Sequence, residues 1–167
     1  MKKIKLEKTQ LYVMIDDDDY KKVKAYRWHA HNRNLGGRSL YAACYQQKSL
    51  GASKAITFLH DLIMNPPDRM QVDHIDFNTL DCRKSNMRIA TYSQNQANRR
   101  KTIKYNTTSE YKGVSFHANV KRKKWHAHIT INGHSQSLGY FHKEIEAAKA
   151  YDKKAVEAWG EFANTNF

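Results

Sequence analysis

The chain has 167 residues and a formal net charge of +13, from 29 lysines and arginines against 16 acidic residues. Hydrophobic residues make up 40% of the sequence, which is enough for the cores of one or two small domains. We expect no membrane span and no signal peptide, because the apolar runs are too short, and two cysteines exclude a disulfide framework. The excess positive charge favours a polyanion partner, most commonly nucleic acid.

Residues 1–52 are predicted to form a small antiparallel β unit. Apolar and polar residues alternate over 11–15, 26–30 and 40–44, and Gly36-Gly37 favours a turn before the last of these strands. Four aspartates at 16–19 precede a short helical pattern. We interpret them as a turn and as carboxylates that cap the helix, and not as metal ligands, because no converging partner is visible.

Residues 53–100 are predicted to contain one helix followed by a β-β-α unit. Ser53 is the expected N-cap of the first helix, which Asn65-Pro66-Pro67 ends. The buried face of this helix would carry Ile56, Leu59 and Ile63. The β-β-α unit would consist of strands at 72–76 and 87–90, a polar loop over 77–85 between them, and a helix that begins at Thr91 or Ser93.

A basic linker over 101–108 leads to the third region, 109–167. Alternating apolar residues predict strands at 114–116 and 125–131, and Asn132-Gly133 is a strong hairpin signal before a strand that ends at Leu138-Gly139. Apolar residues at helical spacing predict one helix over 144–159. This region should therefore be a three-stranded antiparallel sheet packed on one helix, with its other face polar and cationic. The fold class is α+β.

The segment Val72-Asp73-His74-Ile75-Asp76 places an acid beside a histidine on a short strand. His74 is the expected general base, because an imidazole titrates near neutral pH. Asp73 and Asn95 would offer a carboxylate and an amide oxygen to a hard ion, Mg²⁺ or Mn²⁺, and not to Zn²⁺. Asn86 is expected to bond backbone groups and to hold the strand of His74 in shape. The alternative is a surface Asp–His pair with asparagines in turns, but the whole set favours phosphodiester hydrolysis.

Residues 60–98 resemble the HNH nuclease motif through Val72–Asp76, Asn86-Met87-Arg88 and Gln94-Asn95. The resemblance implies a ββα-metal fold in which His74 activates water, Asp73 and Asn95 bind the metal, and Asn86 braces the loop. Asn95 stands where the name of the motif has a histidine, which is a known variant. His60 also matches a recurrent family position, and we interpret it as structural. We interpret Cys82, in the polar loop, as incidental.

Residues 109–167 resemble the ethylene-response-factor-type (APETALA-two) DNA-binding domain, which lays its sheet in the major groove. The matching elements are Tyr111-Lys112-Gly113-Val114, Leu138-Gly139-Tyr140-Phe141, Glu146-Ala147-Ala148, Ala150-Tyr151-Asp152 and Asn166-Phe167.

The residues expected to contact DNA are cationic or polar and lie in the linker, on the exposed face of the sheet or in its hairpin. They are Arg99, Arg100, Lys101, Lys104, Lys112, Ser115, His117, Arg122, Lys124, His126, His128, Thr130 and Ser137. This set is rich in phosphate-binding groups and short of bidentate base readers, so we expect moderate sequence discrimination. The outward histidines also suggest a zinc site, but no cysteine or carboxylate stands near them.

Together the regions resemble the phage and bacterial HNH homing endonucleases. We expect a site-selective, Mg²⁺- or Mn²⁺-dependent endonuclease that acts as a monomer on double-stranded DNA, in the cytoplasm of a bacterial or phage-infected cell. The alternative is a sequence-specific DNA-binding regulator with an inactive nuclease module, which should have lost Asp73, His74 or Asn95. An RNA-processing nuclease is disfavoured, because it needs exposed stacking aromatics and those here are predicted to point inward.

Overall fold

The computed structural model describes residues 1–32, 39–46, 55–103 and 105–167, and they divide into two compact units, 1–91 and 92–167. The predicted turn at Gly36-Gly37, the predicted N-cap Ser53 and the predicted DNA contact Lys104 lie outside the described residues. The predicted division into four regions stays a prediction. Within the described ranges, no helix is long and apolar enough to cross a membrane.

The first unit combines short antiparallel strands with short helices. Its strands are Lys2–Lys5 (β1), Tyr12–Ile15 (β2), His29–Asn32 (β3), Leu40–Gln46 (β4), Ala55–Phe58 (β5), Gln71–His74 (β6) and Met87–Ala90 (β7). Its helices are Tyr20–Val23 (α1), Leu59–Met64 (α2) and a 3₁₀ turn at Lys84–Asn86. The strands pair as β1-β2, β3-β4-β5 and β6-β7, all antiparallel.

One hydrophobic core holds the first unit together. Val13 and Ile15 of β2 are fully buried while Tyr12 is exposed, as the predicted alternation requires, but Leu11 is exposed and lies before the strand. Trp28 is the largest fully buried side chain, and its indole N–H donates to the carbonyl of Val23 at 2.9 Å. Cys82 and Met87, from the loop and strand around the predicted site, belong to the same core. The core therefore fixes the position of the loop that follows β6.

The prediction of a helix that begins at Ser53 is wrong over the first part of that segment. Ala55–Phe58 is a strand, and the helix covers only Leu59–Met64. Ile56 lies across from Tyr45 of β4 and is 45% exposed, so it does not share a buried face with Leu59 and Ile63. Pairing with β4 satisfies the backbone of this β-branched segment and overrides its helical spacing.

The aspartates at 16–19 form the predicted turn before α1, but the predicted capping is wrong. Asp19 makes no side-chain hydrogen bond to the helix backbone. Its carboxylate instead pairs with the Lys84 ammonium at 2.9 Å, and Asp16 accepts the backbone N–H of Lys84 at 2.8 Å. Asp17 binds the terminal amino group of Met1 at 2.6 Å. These carboxylates therefore bind the Met1 amino group and Lys84.

The second unit is one sheet packed on one long helix, preceded by a short helix. Its elements are Tyr92–Ala97 (α3), Val114–Phe116 (β8), Trp125–Ile131 (β9), His134–Phe141 (β10), Glu144–Trp159 (α4) and a 3₁₀ turn at Gly160–Phe162. The antiparallel sheet has the order β10-β9-β8, and α4 packs on all three strands. The predicted sheet-on-helix arrangement is confirmed, except that the last strand runs on to Phe141.

The core of the second unit lies between α4 and one face of the sheet. Ala127 and Ile129 of β9 are buried against Ala148 and Tyr151 of α4. Gly113 has a φ of +71°, and a Cβ at this position would overlap the Tyr151 ring. Only glycine therefore allows the chain to enter β8 so close to α4.

Candidate active site

The β6-β7 hairpin places Asp73 and His74 at the end of a strand. The observed strand ends at His74, two residues before its predicted end. Ile75 still bonds to Asn86 in the register of the hairpin, but the N–H of Asn86 donates to the Arg83 carbonyl and the N–H of Asp76 donates to the Asn86 side chain, so the ladder goes no further. The N–H of Ile75 donates to the Asn86 carbonyl at 2.9 Å. Asp73 and His74 are both buried. On β7, Arg88 lies opposite Asp73 and Met87 lies opposite His74.

Asn86 ties the two ends of the loop together. Its side-chain oxygen accepts the backbone N–H of Asp76 at 3.1 Å, and its amide donates to the Asp81 carbonyl at 3.1 Å. The residue is itself buried. A buried amide with both ends bonded to backbone has one favoured orientation, so Asn86 restrains the turn that directly follows His74.

The rest of the loop is fastened to β2. The backbone N–H of Met14 donates to the Leu80 carbonyl, and the N–H of Cys82 donates to the Met14 carbonyl, both at 2.8 Å. Asp81 accepts from the Arg83 guanidinium within the loop at 2.8 and 2.5 Å. The loop is thus held by backbone pairing as well as by Asn86, although its sequence predicts only a polar connection.

His74 lies among rings and a thiol. The His60 and Tyr41 rings are 5.3 and 6.2 Å from its ring, centroid to centroid, and the Cys82 Sγ is 3.9 Å from its Nε2. Burial lowers the pKa of His74, and the charges of Asp73, Asp76 and Asp81 oppose that change. Because burial is the larger effect, the imidazole is neutral near pH 7 and able to accept a proton.

Two neighbours of His74 are closer to it than their sequence context predicts. His60 was expected to pack beside the apolar residues of its helix. It is buried, and its ring also contacts the ring of His74 edge-on. The interpretation of Cys82 as an incidental loop residue is wrong, since it is fully buried in the core and touches the imidazole. Burial raises the pKa of the Cys82 thiol to about 12, so the sulfur is an uncharged packing group. A cysteine within an otherwise polar segment was the sequence signal that this side chain is buried.

Asp73 forms an ion pair across the hairpin. The Arg88 Nε donates to the Asp73 Oδ2 at 2.9 Å, and the two side chains are 13% and 5% exposed. The two residues are directly opposite in the strand register. This contact could not be predicted without the register, and it places a permanent cation on the carboxylate expected to bind a metal.

The predicted metal ligands are oxygen donors of the hard type. Asp73 lies in the first unit and Asn95, on α3, in the second. In the described ranges, no group of three or more His, Cys, Asp or Glu side chains is arranged to hold a metal ion. One carboxylate and one carboxamide would form no such group, and their donor chemistry fits Mg²⁺ or Mn²⁺ completed by water and phosphate oxygens. Their joint role stays a prediction.

The sheet of the second unit presents a cluster of imidazoles on the face opposite α4. The rings of His117 and His128 lie 5.2 and 5.6 Å from that of His126, and Tyr140 stacks on His126 at 4.6 Å. The His126 Nε2 is 2.8 Å from the Ser137 hydroxyl, and the His117 Nε2 is 3.2 Å from the Ser115 hydroxyl. Burial is the main effect that lowers the pKa values of His126 and His128, and neighbouring positive groups add to it.

The cations predicted to contact DNA divide into two sets. Arg99, Arg100 and Arg122 are exposed, and the Lys124 ammonium lies 5.9 Å from the centre of the Phe116 ring. The Lys101 ammonium instead donates to the carbonyls of Tyr111 and Val114, at 2.5 and 3.3 Å. Lys112 donates to the carbonyls of Ala97 and Arg99.

Lys101 and Lys112 thus carry structural bonds that the sequence did not indicate. Burial lowers the pKa of Lys101 and lowers that of Lys112 to about 8. By bonding carbonyls at and just after the C-terminus of α3, Lys112 also stabilises that helix end. Both ammonium groups are therefore better assigned to bracing the second unit than to DNA.

The prediction that the aromatic residues point inward is wrong at several positions. Tyr45, Tyr92, Tyr105 and Tyr140 are exposed. The placement of these side chains therefore does not disfavour an RNA substrate.

Comparisons with known proteins identify a family for the part of the chain that contains the β6-β7 hairpin. A family model described as HNH endonuclease matches residues 65–97, which include Asp73, His74, Asn86 and Asn95. The chain is 31% identical over 157 residues to a protein of Acanthamoeba polyphaga mimivirus named "Uncharacterized HNH endonuclease L560", covering 93% of this chain and 74% of that protein. No solved structure matches the chain significantly. The chain belongs to the HNH endonuclease family, and it is a nuclease.

Proposed function

We propose that this protein is a site-selective, divalent-metal-dependent DNA endonuclease of the homing type, which works as a monomer on double-stranded DNA. The observation that carries the proposal is the buried His74 at the end of β6, beside Asp73 and directly before a loop that Asn86 restrains. A nuclease needs a base that is neutral at working pH and held in one place. His74 meets both requirements.

His74 accepts a proton from the water that attacks the scissile phosphate. Its burial keeps the imidazole neutral, and the contacts with Cys82 and His60 restrict its rotation. A base of this kind contributes about 10²–10⁴-fold to the rate. Asn86 acts as a positioning residue, because its amide holds the turn that directly follows the histidine.

Asp73 and Asn95 would hold Mg²⁺ or Mn²⁺ through their side-chain oxygens. When bound, such an ion supplies positive charge to the phosphate and to the oxygen that leaves. The donors are hard oxygen groups, which supports this choice over Zn²⁺. HNH nucleases generally use a divalent metal, which supports a divalent ion in this protein.

We assign DNA recognition to the sheet face and hairpin of the second unit, in the manner of an APETALA-two domain. The proposed contacts are Arg99, Arg100, Ser115, His117, Arg122, Lys124, His126, His128, Thr130 and Ser137. His117 and His126 on this face are hydrogen-bonded to the hydroxyls of Ser115 and Ser137, and such groups can donate to phosphate or base edges. The net charge of +13 supports a polyanionic partner.

A regulator with an inactive nuclease module is disfavoured, since Asp73, His74, Asn86 and Asn95 are all present.

A plasmid assay tests the proposed function. Supercoiled DNA that carries a cleavage site is incubated with the full chain in Mg²⁺, in Mn²⁺ and in excess chelator. We expect nicked or linear products with either metal and none with chelator. Equal cleavage in chelator would contradict the metal dependence, and products at random positions would contradict the site selectivity.

A further inference from the structure

Arg88 holds the carboxylate of Asp73 from the neighbouring strand. Its Nε donates to the Asp73 Oδ2 at 2.9 Å, and only 13% of the arginine side chain and 5% of the aspartate side chain are exposed. The strand register places the two residues directly opposite each other. The pair is therefore built into the hairpin and does not depend on a mobile surface side chain.

A carboxylate as buried as that of Asp73 needs a countercharge in the folded protein. Arginine provides one at any working pH, since its guanidinium does not lose its proton. When a divalent ion approaches the same carboxylate, the guanidinium repels it and competes for the oxygen lone pairs. In the free protein the Asp73 carboxylate therefore already has a countercharge.

We propose that Arg88 is the internal counter-ion of the metal-binding carboxylate, and that it keeps metal affinity low until DNA is bound. This inference rests on the assignment of Asp73 as a metal ligand in the proposed function. Arg88 is then a positioning residue of the nuclease, which acts through Asp73.

DNA changes this balance for a simple electrostatic reason. The scissile phosphate adds negative charge beside Asp73 and offers the Arg88 guanidinium a second acceptor. The planar guanidinium group binds phosphate as well as carboxylate. The carboxylate then becomes available to the metal. Because such coupling is reciprocal, metal must tighten DNA binding by the same factor by which DNA tightens metal binding. The protein would load its metal together with its substrate.

Titration of the full chain with Mn²⁺, followed by electron paramagnetic resonance of the free ion, tests the proposal without using activity. We expect Arg88→Gln to bind Mn²⁺ at least about tenfold more tightly than the unchanged protein in the absence of DNA, since the competing charge is gone. Arg88→Lys keeps a positive charge and should bind close to the unchanged value. Arg83→Gln is the matched control, because Arg83 also pairs with an aspartate of this loop, Asp81, and should leave the affinity unaltered.

Equal or weaker Mn²⁺ binding by Arg88→Gln would overturn the proposal. If that variant does not fold, the same titration is done on the unchanged protein with and without an uncleavable DNA duplex. The duplex should raise the Mn²⁺ affinity, and an unaltered affinity would overturn the proposal as well. Asp73→Asn separates this inference from the proposed function. Loss of Mn²⁺ binding in Asp73→Asn with no effect of Arg88→Gln rejects only the role of Arg88. Unchanged binding in Asp73→Asn rejects the metal site itself.

Discussion

The side-chain oxygen of Asn86 accepts the backbone N–H of Asp76 at 3.1 Å, which joins the end of the loop to the turn that follows His74. The amide of the same side chain donates to the Asp81 carbonyl at 3.1 Å. Asn86 is buried, and so is its bond to Asp81, which water therefore cannot replace. The position of the proposed base therefore depends on a residue well after it in the chain.

Replacement of Asn86 by alanine should lower both stability and cleavage. The buried Asp81 carbonyl would be left without its partner, at a cost of about 1–3 kcal/mol, the more exposed Asp76 N–H would lose its partner at a lower cost, and cleavage should fall about 10- to 100-fold. Urea unfolding and plasmid nicking measure the two effects. Asn78→Ala is the control, because Asn78 accepts an exposed backbone bond from Leu80 in the same loop. Equal losses in both variants would contradict a special role for Asn86.

The Cys82 thiol should be unreactive in the folded protein. Burial raises its pKa to about 12, so only about one thiol in ten thousand is ionised at pH 8, and reagents cannot reach it. Cys44 is also buried, and burial raises its pKa as well. Labelling with a thiol-specific disulfide reagent should therefore be slow until urea is added, when both cysteines react. Rapid labelling of one cysteine in native buffer would contradict the placement of these side chains.

Removal of charge from the hairpin between β8 and β9 should weaken DNA binding in a salt-dependent way. For Arg122→Gln with Lys124→Gln, the slope of log affinity against log salt should become shallower by about 0.9 for each phosphate that the protein no longer neutralises. Fluorescence anisotropy at several salt concentrations measures the slope. Lys153→Gln is the control, because Lys153 is exposed on α4, which packs on the other face of the sheet. An unaltered slope in the double variant would show that the hairpin does not touch DNA.

The stability of the second unit should fall in mild acid. The pKa values of His126 and His128 are lowered in the folded protein, chiefly by burial. The unfolded chain takes up protons at about pH 6.5 while the folded unit does so only at lower pH, so stability rises with pH through this window.

Hydrogen exchange of the β9 amides reports the stability of this unit by itself. The free energy of unfolding obtained from this exchange should be lower at about pH 5.5 than at about pH 7.5. A His126→Gln, His128→Gln double variant should lose part of that difference, and His142→Gln, an exposed histidine before α4, should keep it. A difference that is unchanged in the double variant would assign the acid sensitivity to other groups.

Local sequence signals predicted the parts of the structure that local interactions determine. The Asn132-Gly133 turn has positive φ at both residues, as the hairpin signal requires, and α4 has its predicted bounds. The strand β7 also has its predicted bounds, and α3 begins at Tyr92, one residue from each of its two predicted starts. For the hairpin and for α4, a turn pair and a long periodic segment specified the element without distant partners.

The remaining features depend on contacts between distant residues. Ile56 has helical spacing with Leu59, yet it pairs with β4, and a short apolar run does not distinguish these outcomes. The burial of Cys82 against His74 follows from backbone pairing of its loop with Met14. The Arg88–Asp73 pair follows from the strand register. Sequence reasoning therefore predicted the candidate site residues but not the side chains that surround them.

The role of His74 as the general base of a DNA endonuclease is best tested by its replacement with alanine. The His74→Ala variant and the unchanged protein are compared for nicking of supercoiled target DNA in Mg²⁺ and for binding to the same site in gel shifts. We expect cleavage to fall by at least about 10²-fold while binding stays nearly intact. Cleavage by His74→Ala at the rate of the unchanged protein would show that the imidazole is not the base.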